Sequence, residues 1–329
     1  MRAMPPVELV GPASRFYVSQ RLRLHYVDWG NESKPLLVLV HGGRDHARSW
    51  DQVALALRHD WHVVAPDLRG HGDSAWAIGS TYALTDFVLD LAQLIEALGE
   101  SPVTVVAHSL GGAISLQYAG VFPEKVAKLV AIEGLGPPPE VLVRIRDVPG
   151  WKRLRDWVEQ MQGLAGRKPR HYPSIDAAAK RMLEENSFLS EAQARHLTIH
   201  GVTRNEDGSY SWKFDNYTRG FAPARFSEEE IVELRRRTAC PVLLVRGTES
   251  WASDPEKDGR AEPFRNARVV NVEGAGHWVH HDRFEEFVRV VRRFLSEQPA
   301  GEWPQDEPAA GAPAGSERAA GAPAGEEGT

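Results

Sequence analysis

The sequence predicts an α/β architecture, a mostly parallel doubly wound sheet with a mainly helical insertion. Three observations carry this reading. Short apolar runs alternate with helical periodicity between residues 36 and 132, the alternation resumes at Pro241, and the hundred-odd residues between are of a different character. Strands that alternate with helices imply βαβ crossovers and a parallel sheet. The strands of such a sheet are buried on both faces, so they read as continuous apolar runs.

The elements follow in order. Residues 16–19 and 22–29 read as a hairpin, with Leu22, Leu24, Tyr26 and Val27 partly alternating with polar residues. Residues 36–40 are a fully apolar strand ending at His41-Gly42-Gly43, and a helix is expected over 50–57. A strand over 61–65 leads into the polar run Asp67-Leu68-Arg69-Gly70-His71-Gly72-Asp73-Ser74. Leu84, Phe87, Val88, Leu91, Leu94, Ile95 and Leu98 keep helical spacing, and Gly99 supplies the stop. Apolar strands are then expected over 103–107 and 126–132, the second followed by Glu133-Gly134-Leu135-Gly136 and three prolines.

In the insertion, residues 151–164 are amphipathic, 174–187 and 190–202 each open with an N-cap serine, and Ser227-Glu228-Glu229-Glu230 is a capping box. Residues 210–215, after the Glu206-Asp207-Gly208 turn, read as one arm of a small hairpin. A helical insertion here is expected to cap the sheet's C-terminal edge, where open α/β sheets bind ligands. Beyond it come a strand over 242–246, a helix near 256–264, a strand over 268–272, the turn Gly274-Ala275-Gly276-His277 and a closing amphipathic helix over 284–295. The expected divisions are core 1–136, cap 137–238, core 239–297 and tail 298–329. The tail repeats Ala-Ala-Gly-Ala-Pro-Ala-Gly and has almost no large apolar side chains, so it is expected to be disordered.

The 329 residues carry a formal net charge of −6. The tail holds six acidic residues and one arginine, which leaves the body near −1. This balance points away from nucleic acid and anionic membranes. The one cysteine, Cys240, rules out an internal disulfide and fits a reducing compartment, where a structural thiol is expected. No run resembles a signal peptide or a membrane span, so the expectation is a cytoplasmic monomer or homodimer.

The sharpest chemical signal is the string Val103-Thr-Val-Val-Ala-His-Ser-Leu-Gly-Gly112. Helical periodicity starts at Ile114, so Ser109 sits on a sharp strand-to-helix turn. Small residues are needed two before and two after it, because the two backbones pass closely there, and Ala107 and Gly111 meet that need. This is a nucleophile elbow written A-x-S-x-G. A serine hydroxyl needs a base to take its proton and a carboxylate to orient that base. His277, in a loop of small residues, is the base candidate. His108 is expected to pack on the strand's other face, His280 and His281 to be solvated, and His41 to buttress its loop. The Asp67–Asp73 run is expected to form a tight loop held by internal ion pairs. No His/Cys/Asp set has zinc-ligand spacing, and neither G-x-G-x-x-G nor a P-loop is present, so no metal and no cofactor is expected.

His41-Gly42-Gly43 with Ser49-Trp50, the Asp67–Ser74 string, His108-Ser109-Leu110-Gly111-Gly112 and Gly274-Ala275-Gly276-His277-Trp278 together resemble the cap-bearing α/β-hydrolase superfamily, over about residues 15–297. Glu133-Gly134-Leu135-Gly136-Pro137-Pro138 is similar to a string in serine hydrolase-like proteins. The resemblance implies an α/β-hydrolase fold and a chain order of serine, acid, histidine. It offers two places for the acid. One follows the strand at 242–246, where Ser250 takes the expected position and Glu249 and Asp254 stand nearby. The other ends the strand before the insertion, where Glu133 stands, and a carboxylate there is costly unless paired or functional. Glu133 is the leading candidate, with Glu249 and Asp254 as alternatives. The oxyanion hole is expected from the amides of Leu110 and Gly43.

The implied activity is cofactor-free hydrolysis of carboxylic esters or related acyl compounds through an acyl-enzyme on Ser109. Trp151, Trp157 and Trp212 are expected to line part of an apolar pocket for a small-molecule acyl substrate. Haloalkane dehalogenases and epoxide hydrolases carry an aspartate at the elbow, so Ser109 argues against both. C–C bond hydrolysis of ring-cleavage products and a non-catalytic ligand-binding protein are the alternatives.

Overall fold

A computed structural model describes residues 11–79, 82–220 and 226–297. The N-terminal and tail expectations fall largely outside these residues. β1 (Ala13–Ser19) and β2 (Leu22–Asp28) pair antiparallel. They turn through Gln20 and Arg21, both at positive φ (46° and 68°), which matches the twist of a two-residue hairpin. β3 (Leu36–Val40), β4 (His62–Pro66), β5 (Val103–His108) and β6 (Val126–Ile132) follow. Two short strands, β7 (Val202–Arg204) and β8 (Tyr210–Trp212), form their own ribbon, and β9 (Val242–Gly247) and β10 (Ala267–Val272) return to the main sheet.

Among the described residues the main sheet has eight strands in the order β1-β2-β4-β3-β5-β6-β9-β10. Only the β1–β2 and β2–β4 pairings are antiparallel. The order reverses at β3, with β4 on one side and β5 on the other. That crevice, at the carboxyl ends of the strands, is where such a sheet takes ligands.

The helices are α1 (Asp51–Leu57), α2 (Leu84–Leu98), α3 (Leu110–Val121), α4 (Pro139–Asp147), α5 (Gly150–Ala165), α6 (Ile175–Glu185), α7 (Glu191–Gly201), α8 (Glu228–Arg237), α9 (Val279–Asp282) and α10 (Phe284–Ser296). Phe87, Leu91, Leu94 and Ile95 of α2 and Ile114 and Tyr118 of α3 pack against Val38, Val40, Val105, Leu129 and Leu244 on one sheet face. Side chains alternate along a strand, so Leu37, Leu39, Val106, Val130 and Val245 meet the other face, where α1 and α10 lie. Ser174, Ser190 and Ser227 all cap their helices as the sequence indicates, the last two in capping boxes.

Two elements differ from expectation. α8 lies within the expected insertion yet packs on α3, where a Cβ on Gly120 would stand 2.5 Å from the Leu234 carbonyl oxygen. The helix expected near 256–264 is a series of turns. Gly259 sits at φ 78° there, and Arg260 is buried with its guanidinium committed to Asp258, Ser253 and the carbonyls of Gly136 and Pro137. Those long-range bonds replace helical ones and brace the turn after Glu133. No described helix is long and apolar enough to cross a membrane.

Candidate active site

Ser109 stands between β5 and α3 at φ 49°, ψ −113°, a conformation that a non-glycine residue holds only when its surroundings force it. The surroundings are close backbone. A Cβ on Gly111 would lie 2.5 Å from the carbonyl oxygens of Val40 and His41, and one on Gly112 would lie 2.6 Å from Gly134 Cα. Nothing larger than glycine fits either place. The Ser109 amide donates to the Ile132 carbonyl at 2.8 Å, which ties the turn to the end of β6.

Glu133 is the next residue along β6 and shares the strained geometry, with φ 49°. Its side chain is fully buried and accepts three hydrogen bonds. The Gly247 amide donates to Oε1 at 3.0 Å, the Ser250 hydroxyl to Oε2 at 2.6 Å, and His277 Nδ1 to Oε2 at 2.5 Å. A carboxylate only accepts, so His277 carries its proton on Nδ1 and turns the lone pair of Nε2 toward Ser109 Oγ, 3.1 Å away. The His277 loop is pinned on both sides. Gly274 N–H donates to Thr248 Oγ1 at 2.9 Å and Gly276 N–H to Asp282 Oδ2 at 3.0 Å. A Cβ on Gly247 would strike the Ala275 and Gly276 carbonyls at 2.3 Å.

The structure thus brings Ser109, His277 and Glu133 together. Glu249 is exposed, and Asp254 is bonded to Asn271 and the Glu256 amide, so neither carboxylate reaches His277 among the described contacts. Ser250, at the place where the resemblance called for an acid, donates to the Glu133 carboxylate instead. Gly42 and Gly43 lie beside the elbow: a Cβ on Gly42 would be 3.3 Å from Ser109 Cβ, and one on Gly43 would be 3.9 Å from Leu110 Cδ2. Leu110 opens α3, so its amide is one of the four that a helix leaves without an internal partner.

His41 donates from Nδ1 to the Gly42 carbonyl at 2.6 Å and accepts the Leu68 amide on Nε2 at 3.0 Å, joining two loops. Asp67 accepts from the Ala47 and Asp73 amides and from His25, while Arg69 forms a bidentate pair with Asp90 of α2. Trp212 packs on Tyr172, Trp151 is exposed on α5, and Trp157 is half-buried on the same helix. Trp251, which the sequence did not single out, stands at the site: its ring lies 5.2 Å from that of His277, and the residue is 59% exposed.

His280 and His281 are a correction. They lie in a short helix turned inward, with His280 stacked 4.4 Å from Trp50 and tilted against His281 at 4.2 Å. His108 touches both His277 and His280, at 4.7 and 4.8 Å. Burial holds His108 and His280 well below the usual histidine range, His41 and His281 at about 3 and His71 at about 4. These rings are neutral in the folded chain and charge in the unfolded chain below about pH 6.5, so folding stability is full above that pH. Each group then weakens folding progressively as the pH falls toward its folded value. Asp282, which burial pushes up to about 6, opposes the trend but is outnumbered. The melting temperature is therefore expected to fall steadily between pH 6.5 and 4; a flat profile in calorimetry over that range contradicts the assignment.

A family model described as the alpha/beta hydrolase fold matches residues 35–284. Human serine hydrolase-like protein 2 is 30% identical over 293 residues, covering 81% of this chain and 88% of its own. An esterase of Mycobacterium tuberculosis is 28% identical over 271 residues, covering 81% of this chain and 84% of its own. Among solved structures, a hypothetical protein of Pseudomonas aeruginosa has a TM-score of 0.76 at 25% identity, over 86% of this chain and 99% of that one. With this coverage and the elbow geometry above, the chain belongs to the α/β-hydrolase fold family.

Proposed function

We propose that the chain is a serine hydrolase acting on carboxylic esters or related acyl compounds. The observation that carries the reading is the continuous relay Ser109 Oγ, His277 Nε2, His277 Nδ1, Glu133 Oε2, with separations of 3.1 and 2.5 Å. Ser109 Oγ attacks the acyl carbon while His277 Nε2 takes its proton, and Glu133 stabilises the imidazolium that results. The negative oxygen of the tetrahedral adduct accepts from the Leu110 and Gly43 amides, each worth roughly 3 kcal/mol in such a site. His277 then protonates the departing alcohol and the acyl-enzyme forms. A water, deprotonated by the same imidazole, attacks it and releases the acid.

The names of the relatives, an esterase and a serine hydrolase-like protein, favour this bond class. Epoxide and haloalkane substrates need a carboxylate nucleophile to form their alkyl-enzyme ester, and a serine stands at the elbow. The single thiol, Cys240, is buried and pushed up to about 12, which suits the cytoplasmic placement read from the sequence. The insertion after Glu133 serves in this reading as the cap over the crevice.

The test is burst kinetics on a series of p-nitrophenyl esters. A stoichiometric release of nitrophenolate ahead of slower turnover supports an acyl-enzyme. Turnover of a ring-cleavage dienoate with none of any ester would move the reading to C–C hydrolysis. Ser250 acts here through Glu133 as a positioning residue. Ser250→Ala is expected to lower kcat about tenfold with KM unchanged, the size of one hydrogen bond to a charged group; unaltered kcat would remove Ser250 from the account.

A further inference from the structure

Beneath His277 lies a second set of chemistry-bearing side chains that the acyl-transfer scheme leaves unused. Asp45 comes from the loop after β3, His108 from the last position of β5 and His280 from α9. One ligand-capable atom of each lies within 4.8 Å of the other two. His108 Nε2 is 2.9 Å from the His277 carbonyl oxygen. A carbonyl can only accept, so Nε2 holds the proton and Nδ1 presents a bare lone pair. Among the described residues that nitrogen is buried without a partner, and so are both nitrogens of His280. Each of the two residues is 1% exposed. Buried nitrogens left in this state are costly unless something occupies the space between them.

An imidazole that donates one N–H to a backbone carbonyl and keeps its other nitrogen unpartnered, beside a second imidazole and a carboxylate, has the makings of a metal ligand with its outer support. Two neutral imidazoles and a carboxylate suit zinc in particular. Three atoms mutually within 4.8 Å share a centre about 2.8 Å or less from each. Side-chain shifts under ~1 Å therefore reach zinc bond lengths of ~2.0–2.2 Å. Asp45 accepts the His46 amide on Oδ1 at 2.8 Å and is partly open to solvent, which gives an ion a way in.

Two other groups gather similar residues and fare worse. In Asp51, His196 and His200, Arg48 already holds both carboxylate oxygens, at 2.8 and 2.7 Å. In His25, Asp67 and Asp73, the Asp67 oxygens are taken by His25 and two backbone amides.

We propose that Asp45, His108 and His280 form a site for one divalent ion of the zinc class, completed by water, which braces the His277 loop against β5 and the loop after β3. The ion takes no part in acyl transfer. Its effect is on stability, because the His108 N–H that supports the His277 backbone belongs to one of its ligands.

The test is calorimetric titration of the chelator-stripped full chain with zinc chloride at pH 7.5, paired with thermal melts. One ion per chain is expected, with a melting temperature that rises with zinc concentration, as for any ligand of the folded state alone. His280→Phe keeps a ring against Trp50 while removing a ligand, and Asp45→Asn removes the charge; each is expected to weaken binding more than about tenfold. His200→Ala is expected to leave the titration unchanged. Absence of zinc uptake overturns the proposal. So does uptake that survives in folded His280→Phe and Asp45→Asn, or that disappears in His200→Ala.

Discussion

Glu133→Gln is expected to lower kcat for ester hydrolysis by ~10³–10⁴-fold with little change in KM, the loss seen when a triad carboxylate becomes an amide. The amide keeps the volume, and its oxygen, in the place of Oε1, can still accept from Gly247, while the NH₂ takes the place of Oε2 that His277 and Ser250 share. What changes is the partner of His277 Nδ1, 2.5 Å away. An amide NH₂ facing that nitrogen selects the other tautomer, which puts the proton on Nε2 where the serine's proton has to go. Glu249→Gln and Asp254→Asn are expected to stay within about twofold of wild type, since Glu249 is exposed and the Asp254 carboxylate is engaged with Asn271 and the Glu256 amide rather than with His277. A large loss in either, with Glu133→Gln near normal, would transfer the acid's role.

His277→Ala is expected to cost more, ~10⁵–10⁶-fold in kcat, because base and nucleophile act as one unit and removing either costs about as much as removing all three. The His277 side chain is only a quarter exposed and its loop is held by backbone bonds, so the variant is expected to keep its fold. The double variant His277→Ala with Glu133→Gln should then be no slower than His277→Ala alone. Additive losses in the double variant would show that Glu133 acts by some route other than the imidazole.

Much of the frame was legible because its signals are local. Apolar runs gave β3, β5 and β6, heptad-like spacing gave α2 to the residue, and N-cap serines gave α6, α7 and α8. Ser109 and His277 were legible for a related reason: small neighbours such as Gly111 and Gly276 have to stand where backbones meet. What escaped depends on residues far apart in the chain. Ser250 reads as a missing acid until Glu133 is seen to reach it across β9. Arg260 dissolves an expected helix by bonding to Gly136 and Pro137. The inward turn of His280 depends on Trp50 and His108, which no spacing rule connects to it. The strained φ of Glu133 has no sequence signature either, since glutamate rarely adopts it.

Acyl transfer at this site requires that Ser109 be an activated nucleophile. Intact-mass analysis after exposure to a fluorophosphonate tests it most directly, with wild type and Ser109→Ala side by side. One adduct per chain is expected on wild type and none on the variant. A folded wild type that takes up no label, or a variant that labels as readily, would contradict it.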